Sequence, residues 1–128
     1  MKNKNILVLA AHPDDETLGC GGVIKNLSDQ GYKIELITFT DGVSSRGKKQ
    51  KNRNEKLKEV SKLLGISKYT YGNFYDNALD SVSLLQLCQF IENNTEGPYD
   101  IIFTHFIGDL NIDHQLVTKA TLTAFRPQ

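Results

Sequence analysis

The residues best suited to chemistry form a short run near the start of the chain, AHPDDE at positions 11–16. The run contains an imidazole, His12, and the carboxylates of Asp14 and Asp15. Such borderline and hard ligands, close enough for one coordination sphere, suit Zn²⁺ or Fe²⁺ better than Ca²⁺, which prefers oxygen alone. A helix capped by Asp14 or Asp15 would also explain one carboxylate, but it leaves the rest of the cluster unexplained.

A second polar run, HFIGDLNIDH at positions 105–114, contains the other two histidines of the chain. With His12 and Asp15, His114 would complete a set of two imidazoles and one carboxylate. Such a set leaves positions for water and substrate, as a catalytic metal requires. Asp14 would then be free to act as a base, and His105 is open to a direct or a structural role.

Within the second run, the polar residues Asp109, Asn111 and Asp113 alternate with apolar Leu110 and Ile112. This alternation predicts that the three polar side chains share one side of the segment.

Strand and helix patterns alternate along the chain and place both runs after strands. Predicted strands cover 6–10, 33–40, 68–74 and 100–103, and predicted helices cover 17–30, 53–65, 81–94 and 113–125. The alternation predicts an α/β fold with a parallel, doubly wound sheet between two helical layers. Residues that follow different strands should then meet in one crevice. They are His12, Asp14, Asp15, Thr40, Asp41, Asp76 and His105.

Length and composition narrow the function classes. The 128 residues are expected to form one domain, and 15 basic residues balance 15 acidic ones. A neutral chain has no net field to attract nucleic acid, and no segment approaches the length of a membrane span. Two cysteines without CxxC spacing indicate a reduced, cytoplasmic protein rather than a disulfide framework.

Three motifs together resemble one family: AHPDDE after the first strand, TDGVSSRG after the second, and THFIGDLNIDH after the fourth. The chain is similar throughout to LmbE-like, N-acetylglucosaminyl-phosphatidylinositol de-N-acetylase (PIG-L) zinc-dependent deacetylases. The resemblance implies a Rossmann-like fold, a zinc held by His12, Asp15 and His114, and Asp14 as general base. It also implies a substrate, an N-acetylglucosamine-type amino sugar or its conjugate, whose acetamide is attacked by metal-activated water.

The same resemblance implies that Arg53 and Asp76 contact the sugar, and His105 is predicted among the substrate-binding residues. The polar segment Val43–Asn54 is predicted to be a lid that orders when a sugar binds. Asn111 stands where many members have a histidine that stabilises the oxyanion. An amide can still donate a hydrogen bond there, although it cannot exchange a proton near neutral pH.

Two further departures concern orientation and length. Lys56 stands where the family commonly has a glutamate three residues after the arginine, and members usually continue well past Gln128. We therefore expect residues 1–128 to be the N-terminal part of the family fold, weak or inactive as an enzyme. A partly uncovered apolar surface would favour a homo-oligomer.

Two non-catalytic α/β modules are the alternatives. A receiver-like phosphoacceptor domain has this length and an acidic pair after its first strand, but it also needs a fifth strand and a lysine. A nucleotide-binding domain would use Gly19, Gly21 and Gly22, yet Ile24 occupies the place of the third glycine. Neither alternative uses the histidines.

Overall fold

Four short parallel strands form the centre of the fold. The computed structural model of the protein describes residues 4–13, 15–41 and 53–127, without the side chains of 16–18 and 53–57. The strands pair side by side in the order β3-β2-β1-β4. The elements are β1 (Asn5–Ala10), α1 (Asp15–Asp29), β2 (Lys33–Thr40), α2 (Arg53–Leu64), β3 (Lys68–Phe74), α3 (Leu84–Asn93), β4 (Ile101–Phe103) and α4 (Ile112–Ala124).

The alternation of side chains along β1 shows why helices cover both faces of the sheet. Val8 is buried in a cluster with Ile24 of α1, whereas the next residue, Leu9, is buried in a second cluster with Val117 of α4. Helices α1 and α2 contact each other, as do α3 and α4. A strand buried on both faces accounts for the continuous apolar sequence of β1. The predicted three-layer α/β/α sandwich with a parallel sheet is confirmed.

Helix α1 is not regular throughout. Cys20 has non-helical backbone angles, with φ −147° and ψ 21°, in the glycine-rich part of the helix. Ile24 lies one turn later and is fully buried against the sheet. Ile24, which stands where a nucleotide-binding domain needs its third glycine, is therefore a core residue.

The prediction of one helix over 81–94 is wrong at its start. Residues Leu79–Ser81 form a 3₁₀ turn, Val82 is extended, and α3 begins only at Leu84. Ser83 caps α3 through a capping box, in which its side chain accepts from the Gln86 N–H and the Gln86 side chain accepts from the Ser83 N–H. This reciprocal cap fixes the helix start after Ser83.

In the part of the chain that the structure describes, no helix combines the length and the apolar character needed to cross a membrane.

Candidate metal centre

The first part of the site is the turn that connects β1 to α1. The Asp15 carboxylate folds back over this turn, and its Oδ2 accepts a hydrogen bond from the His12 backbone N–H at 2.9 Å. The same oxygen lies 3.2 Å from His12 Nδ1. One carboxylate oxygen therefore fixes both the turn and the imidazole that follows the strand.

The second part of the site is the start of α4. Asn111 is the N-cap of this helix, and its side-chain oxygen accepts from the backbone N–H groups of Asp113 and His114 at 3.0 and 3.2 Å. This cap sets the direction in which the first helical side chains point. The amide oxygen of Asn111 thus serves the helix start, and its NH₂ group takes no part in the cap.

The structure brings together the three residues predicted to hold a metal. Nε2 of His114 lies 3.1 Å from Asp15 Oδ2, the oxygen that also faces His12 Nδ1. One ligand atom from each of the three residues lies within 4.8 Å of the other two. Two imidazole nitrogens and one carboxylate oxygen are a typical catalytic zinc set, and the residues present therefore fit a divalent transition metal.

Two further aspartates hold the outer nitrogens of the imidazoles. Asp113 Oδ2 lies 2.8 Å from Nε2 of His12, and Asp109 Oδ2 lies 2.9 Å from Nδ1 of His114. A metal-binding histidine usually donates its other N–H to such a carboxylate, which fixes the tautomer and the ring orientation. This supporting pair is a second indication that the inner nitrogens are arranged for a metal.

The sequence prediction missed both supporting roles. The alternation of Asp109, Asn111 and Asp113 was a usable signal, since it predicted side chains on one side of the segment. In the structure, Asp109 and Asp113 reach the two different histidines, while Asn111 caps the helix.

Burial and hydrogen bonding have opposite effects on the pKa values of His12 and Asp15. Burial opposes the charged form of His12, but hydrogen bonds to Asp15 and Asp113 outweigh it and raise the pKa of His12. Burial likewise opposes ionisation of Asp15, yet hydrogen bonding to His12 lowers its pKa below the ordinary value. The hydrogen bond to His114 lowers the pKa of Asp109. Asp15 is therefore an anion at neutral pH, the form in which a carboxylate binds metal.

His105 lies against His114, and its Nε2 is 3.7 Å from Asp15 Oδ2. Its Nε2 accepts a hydrogen bond from the backbone N–H of Ala11 at 2.8 Å, so its proton is on Nδ1. Burial and the nearby His114 lower the pKa of His105 to about 4, so the ring is neutral at pH 7. The rings of His105 and His114 are stacked, with centroids 3.7 Å apart and planes 6° from parallel.

A second group of possible ligands consists of His105, Asp109 and His114. Stacked, nearly parallel rings direct their in-plane lone pairs side by side rather than toward one point. One ion could therefore not lie in the plane of both imidazoles. This geometry favours the first group, in which Asp15 faces both His12 and His114.

Three of the remaining predicted residues follow the first three strands. Asp14 comes after β1, Arg53 after β2 and Asp76 after β3. Asp76 is buried after β3, and the next residue, Asn77, donates its backbone N–H to Asp113 at 2.5 Å. Arg53 is the first residue of α2, with its side chain outside the described part. Asp14 lies outside the described residues altogether, as do positions 43–52 of the predicted lid.

An open cleft of about 710 Å³ runs from the candidate metal centre between α1 and the end of β4. Asp15, Asp109 and His114 line it together with mainly apolar residues, which are Val8, Leu9, Ala10, Gly19, Cys20, Val23, Phe103 and Phe106, and with Thr104 and His105. A cleft of this size accommodates a small molecule beside the ligand set.

Comparison with known proteins identifies the family of the chain. Residues 7–125 match the family model PIG-L, described as GlcNAc-PI de-N-acetylase. The chain is 31% identical to the uncharacterized deacetylase YaiS of Escherichia coli over 98% of its own length and 70% of that protein. It is 29% identical to a probable N-acetyl-alpha-D-glucosaminyl L-malate deacetylase of Bacillus cereus, over 94% of this chain and 60% of that one.

A solved structure shows the same fold. The conserved protein TT1542 of Thermus thermophilus superimposes with a TM-score of 0.78 at 26% identity. The match covers 93% of this chain and 54% of TT1542. The chain thus spans between 54% and 70% of the length of these similar proteins.

Proposed function

Because the chain belongs to the GlcNAc-PI de-N-acetylase (PIG-L) family, we propose that it is a zinc-dependent N-deacetylase of amino sugars. The substrate would be an N-acetylglucosamine-type sugar or its conjugate, which agrees with the amino-sugar name of the Bacillus cereus relative. One observation carries the proposal: Asp15 Oδ2 faces one nitrogen of His12 and one of His114, while aspartates hold both outer nitrogens.

In this proposal, His12, Asp15 and His114 hold the ion. A bound Zn²⁺ supplies a Lewis acid and lowers the pKa of water to about 7. The same ligand set also accommodates Fe²⁺, which is therefore the alternative ion. The raised pKa of His12 means that its proton competes with the metal, so metal binding weakens as the pH falls.

Asp14 acts as the general base in the proposed reaction. It takes a proton from the attacking water, the water oxygen bonds to the acetyl carbon, and the carbon–nitrogen bond of the acetamide breaks. Asp14 returns the proton to the leaving amine, so the products are acetate and the free amino sugar. The NH₂ group of Asn111 donates a hydrogen bond to the acetyl oxygen as that oxygen becomes negative.

The sugar is proposed to bind between the metal ligands and the loops after β2 and β3. Arg53 at the start of α2 and Asp76 after β3 would contact its hydroxyl groups.

The test compares two carboxylates that are adjacent in the sequence, Asp14 and Asp15. We expect Asp14→Asn to keep stoichiometric zinc and lose about 10²- to 10⁴-fold in acetate release from N-acetylglucosamine conjugates. Asp15→Asn should lose both the metal and the activity, because it removes a ligand. Metal content by mass spectrometry and an acetate assay distinguish the two.

The matched comparison also shows how the proposal could fail. Equal metal content and equal rates in Asp14→Asn and Asp15→Asn would contradict the division of roles. Stoichiometric metal in a His12→Ala, His114→Ala double variant would contradict the site itself. Reconstitution with Zn²⁺ or Fe²⁺ before the assay identifies the ion that supports turnover.

A further inference from the structure

We propose that His105 is a positioning residue that sets the ring plane of His114. The inference rests on the proposed function only in that His114 is taken as a metal ligand. The stacked contact is close, with ring centroids 3.7 Å apart, and His114 also meets Asp109 and Asp15 through its two nitrogens.

The two nitrogen contacts leave one motion of the His114 ring unrestrained. Asp109 Oδ2 and Asp15 Oδ2 each contact a nitrogen at the edge of the ring, so they fix where the nitrogens are but leave the faces of the ring unsupported. A metal needs the Nε2 lone pair to point at it, and tilting misdirects that lone pair. A flat neighbour stacked 6° from parallel restrains this tilt.

His105 can serve as such a support because it is anchored at both ends. Its ring Nε2 accepts from the buried Ala11 N–H at the end of β1, and its backbone oxygen accepts from the Thr118 hydroxyl of α4 at 3.1 Å. These bonds join the His105 ring to the strand that precedes His12 and to the helix that carries His114. The ring is therefore held relative to both halves of the ligand set.

Two substitutions separate the stacked ring from the hydrogen-bond acceptor. His105→Phe keeps a flat ring against His114 but leaves the buried Ala11 N–H without its acceptor. His105→Gln keeps an acceptor for Ala11 but removes the ring. A residue with only a structural role would change stability and metal binding together, whereas a positioning residue lets them change separately.

We measure Co²⁺ affinity by chelator competition, the visible Co²⁺ spectrum and the melting temperature. We expect His105→Gln to bind Co²⁺ about 10-fold more weakly and to change its spectrum, as lost outer support commonly does. His105→Phe should keep affinity within about threefold but melt at a lower temperature, because it leaves a buried donor unpaired. Thr38→Val, which removes a hydroxyl bonded to Tyr69 away from the site, controls for lost stability alone.

A metal-free measurement keeps the test independent of the proposed function. The ring protons of His114 should show the upfield NMR shift of a stacked neighbour in the unsubstituted protein and in His105→Phe, and lose it in His105→Gln. Unchanged Co²⁺ binding together with an unchanged His114 shift in His105→Gln would overturn the inference. Failure of the unsubstituted protein to bind Co²⁺ would count against the metal centre, while the NMR comparison would still decide the role of His105.

Discussion

The buried carboxylate of Asp113 contacts both the segment after β3 and the imidazole of His12. Its side chain has no solvent exposure, and it accepts the backbone N–H groups of Asn77 and Leu79 at 2.5 and 3.1 Å. Its Oδ2 also faces Nε2 of His12. A buried charge is tolerated only when such partners compensate for lost solvation. The residue thus supports the imidazole and ties the loop after β3 to α4.

We expect Asp113→Asn to weaken zinc binding by about 10- to 100-fold, because outer carboxylates orient metal-binding histidines. An amide has one acceptor atom where the carboxylate uses two. One of its three donors would therefore lose its partner, lowering the free energy of unfolding by about 1–3 kcal/mol. Chelator competition and urea denaturation measure the two effects.

Asp109→Asn is the matched control, since Asp109 supports the other histidine but its side chain is 33% exposed. It should weaken zinc binding with little change in stability. Wild-type zinc affinity in both variants would show that the aspartates do not orient the ligands.

The hydrogen bond between Tyr99 and Glu35, away from the candidate metal centre, should make the free energy of unfolding depend on pH. Its hydroxyl donates to Glu35 Oε2 at 2.5 Å, and burial together with this bond raises the pKa of Tyr99. The folded state therefore holds the phenol proton more tightly than the unfolded state. The resulting stability is complete below the ordinary pKa of about 10 and is lost as pH rises through the folded-state pKa.

We expect Tyr99→Phe to lower the free energy of unfolding by about 1 kcal/mol at pH 7, the usual net value of one hydrogen bond. The difference from the unsubstituted protein should shrink as pH rises above about 10. Urea titrations between neutral and alkaline pH measure it. Tyr75→Phe, at a 72% exposed tyrosine, is the control, and a difference that grows with pH would contradict the assignment.

The sequence alone identified the three candidate metal ligands, but it did not identify the aspartates that contact their outer nitrogens. His12, Asp15 and His114 stand out because few residue types bind a transition metal and all three histidines lie in two runs. Asp109 and Asp113 have the same side chain as Asp15, and spacing alone does not reveal which nitrogen an aspartate will face. That distinction depends on the capped start of α4, which a linear pattern does not specify.

At the scale of elements, a close approach between β2 and β3 constrains one glycine. The register of this strand pair shifts between Thr38 and Thr40, which marks a bulge or irregularity. A Cβ added at Gly72 of β3 would lie 2.5 Å from the backbone oxygen of Phe39. Backbone atoms cannot move aside as a flexible side chain can, so the position requires glycine.

We expect Gly72→Ala to lower the free energy of unfolding by about 1–3 kcal/mol through overpacking. Gly22→Ala is the control: it lies in α1, and an added Cβ meets nothing within 4 Å. That variant should gain about 0.4–1 kcal/mol, because alanine restricts the unfolded chain. Thermal and urea unfolding compare the two, and equal effects would contradict the role of the close approach.

Element boundaries could be predicted where local signals agree with packing. β2 and β3 match their predicted ranges of 33–40 and 68–74, because apolar and aromatic runs there are bounded by glycine and polar residues. The start of α3 was misplaced because apolar Val82 continues the helical pattern while its backbone is extended. The capping box of Ser83 and Gln86 decides that boundary.

At the scale of the whole molecule, the order of the strands in the sheet brings the two parts of the candidate metal centre together. β1 lies between β2 and β4, so the turn after β1 meets the segment that follows β4. The predicted fold class is sufficient to bring His12, Asp15 and His114 to one edge. It does not specify the orientation of each ring, which depends on the capped helix start and on the stacked His105.

Metal binding should stabilise the fold as a whole. At free zinc about 100-fold above its dissociation constant, we expect the free energy of unfolding to rise by about 2.7 kcal/mol, because the ion binds the folded state. Melting scans with zinc and with a chelator measure the gain. The His12→Ala, His114→Ala double variant should show none, and an equal gain there would mean that the ion binds elsewhere.

The contact between His12 and Asp113 joins positions 101 residues apart. An ion bound by His12, Asp15 and His114 would join these two segments, so its site exists only when both are in place in the folded chain. Closing so long a loop costs conformational entropy, which slows the formation of such contacts. The absorbance of bound Co²⁺ during refolding should therefore report when the segments around His12 and His114 come together.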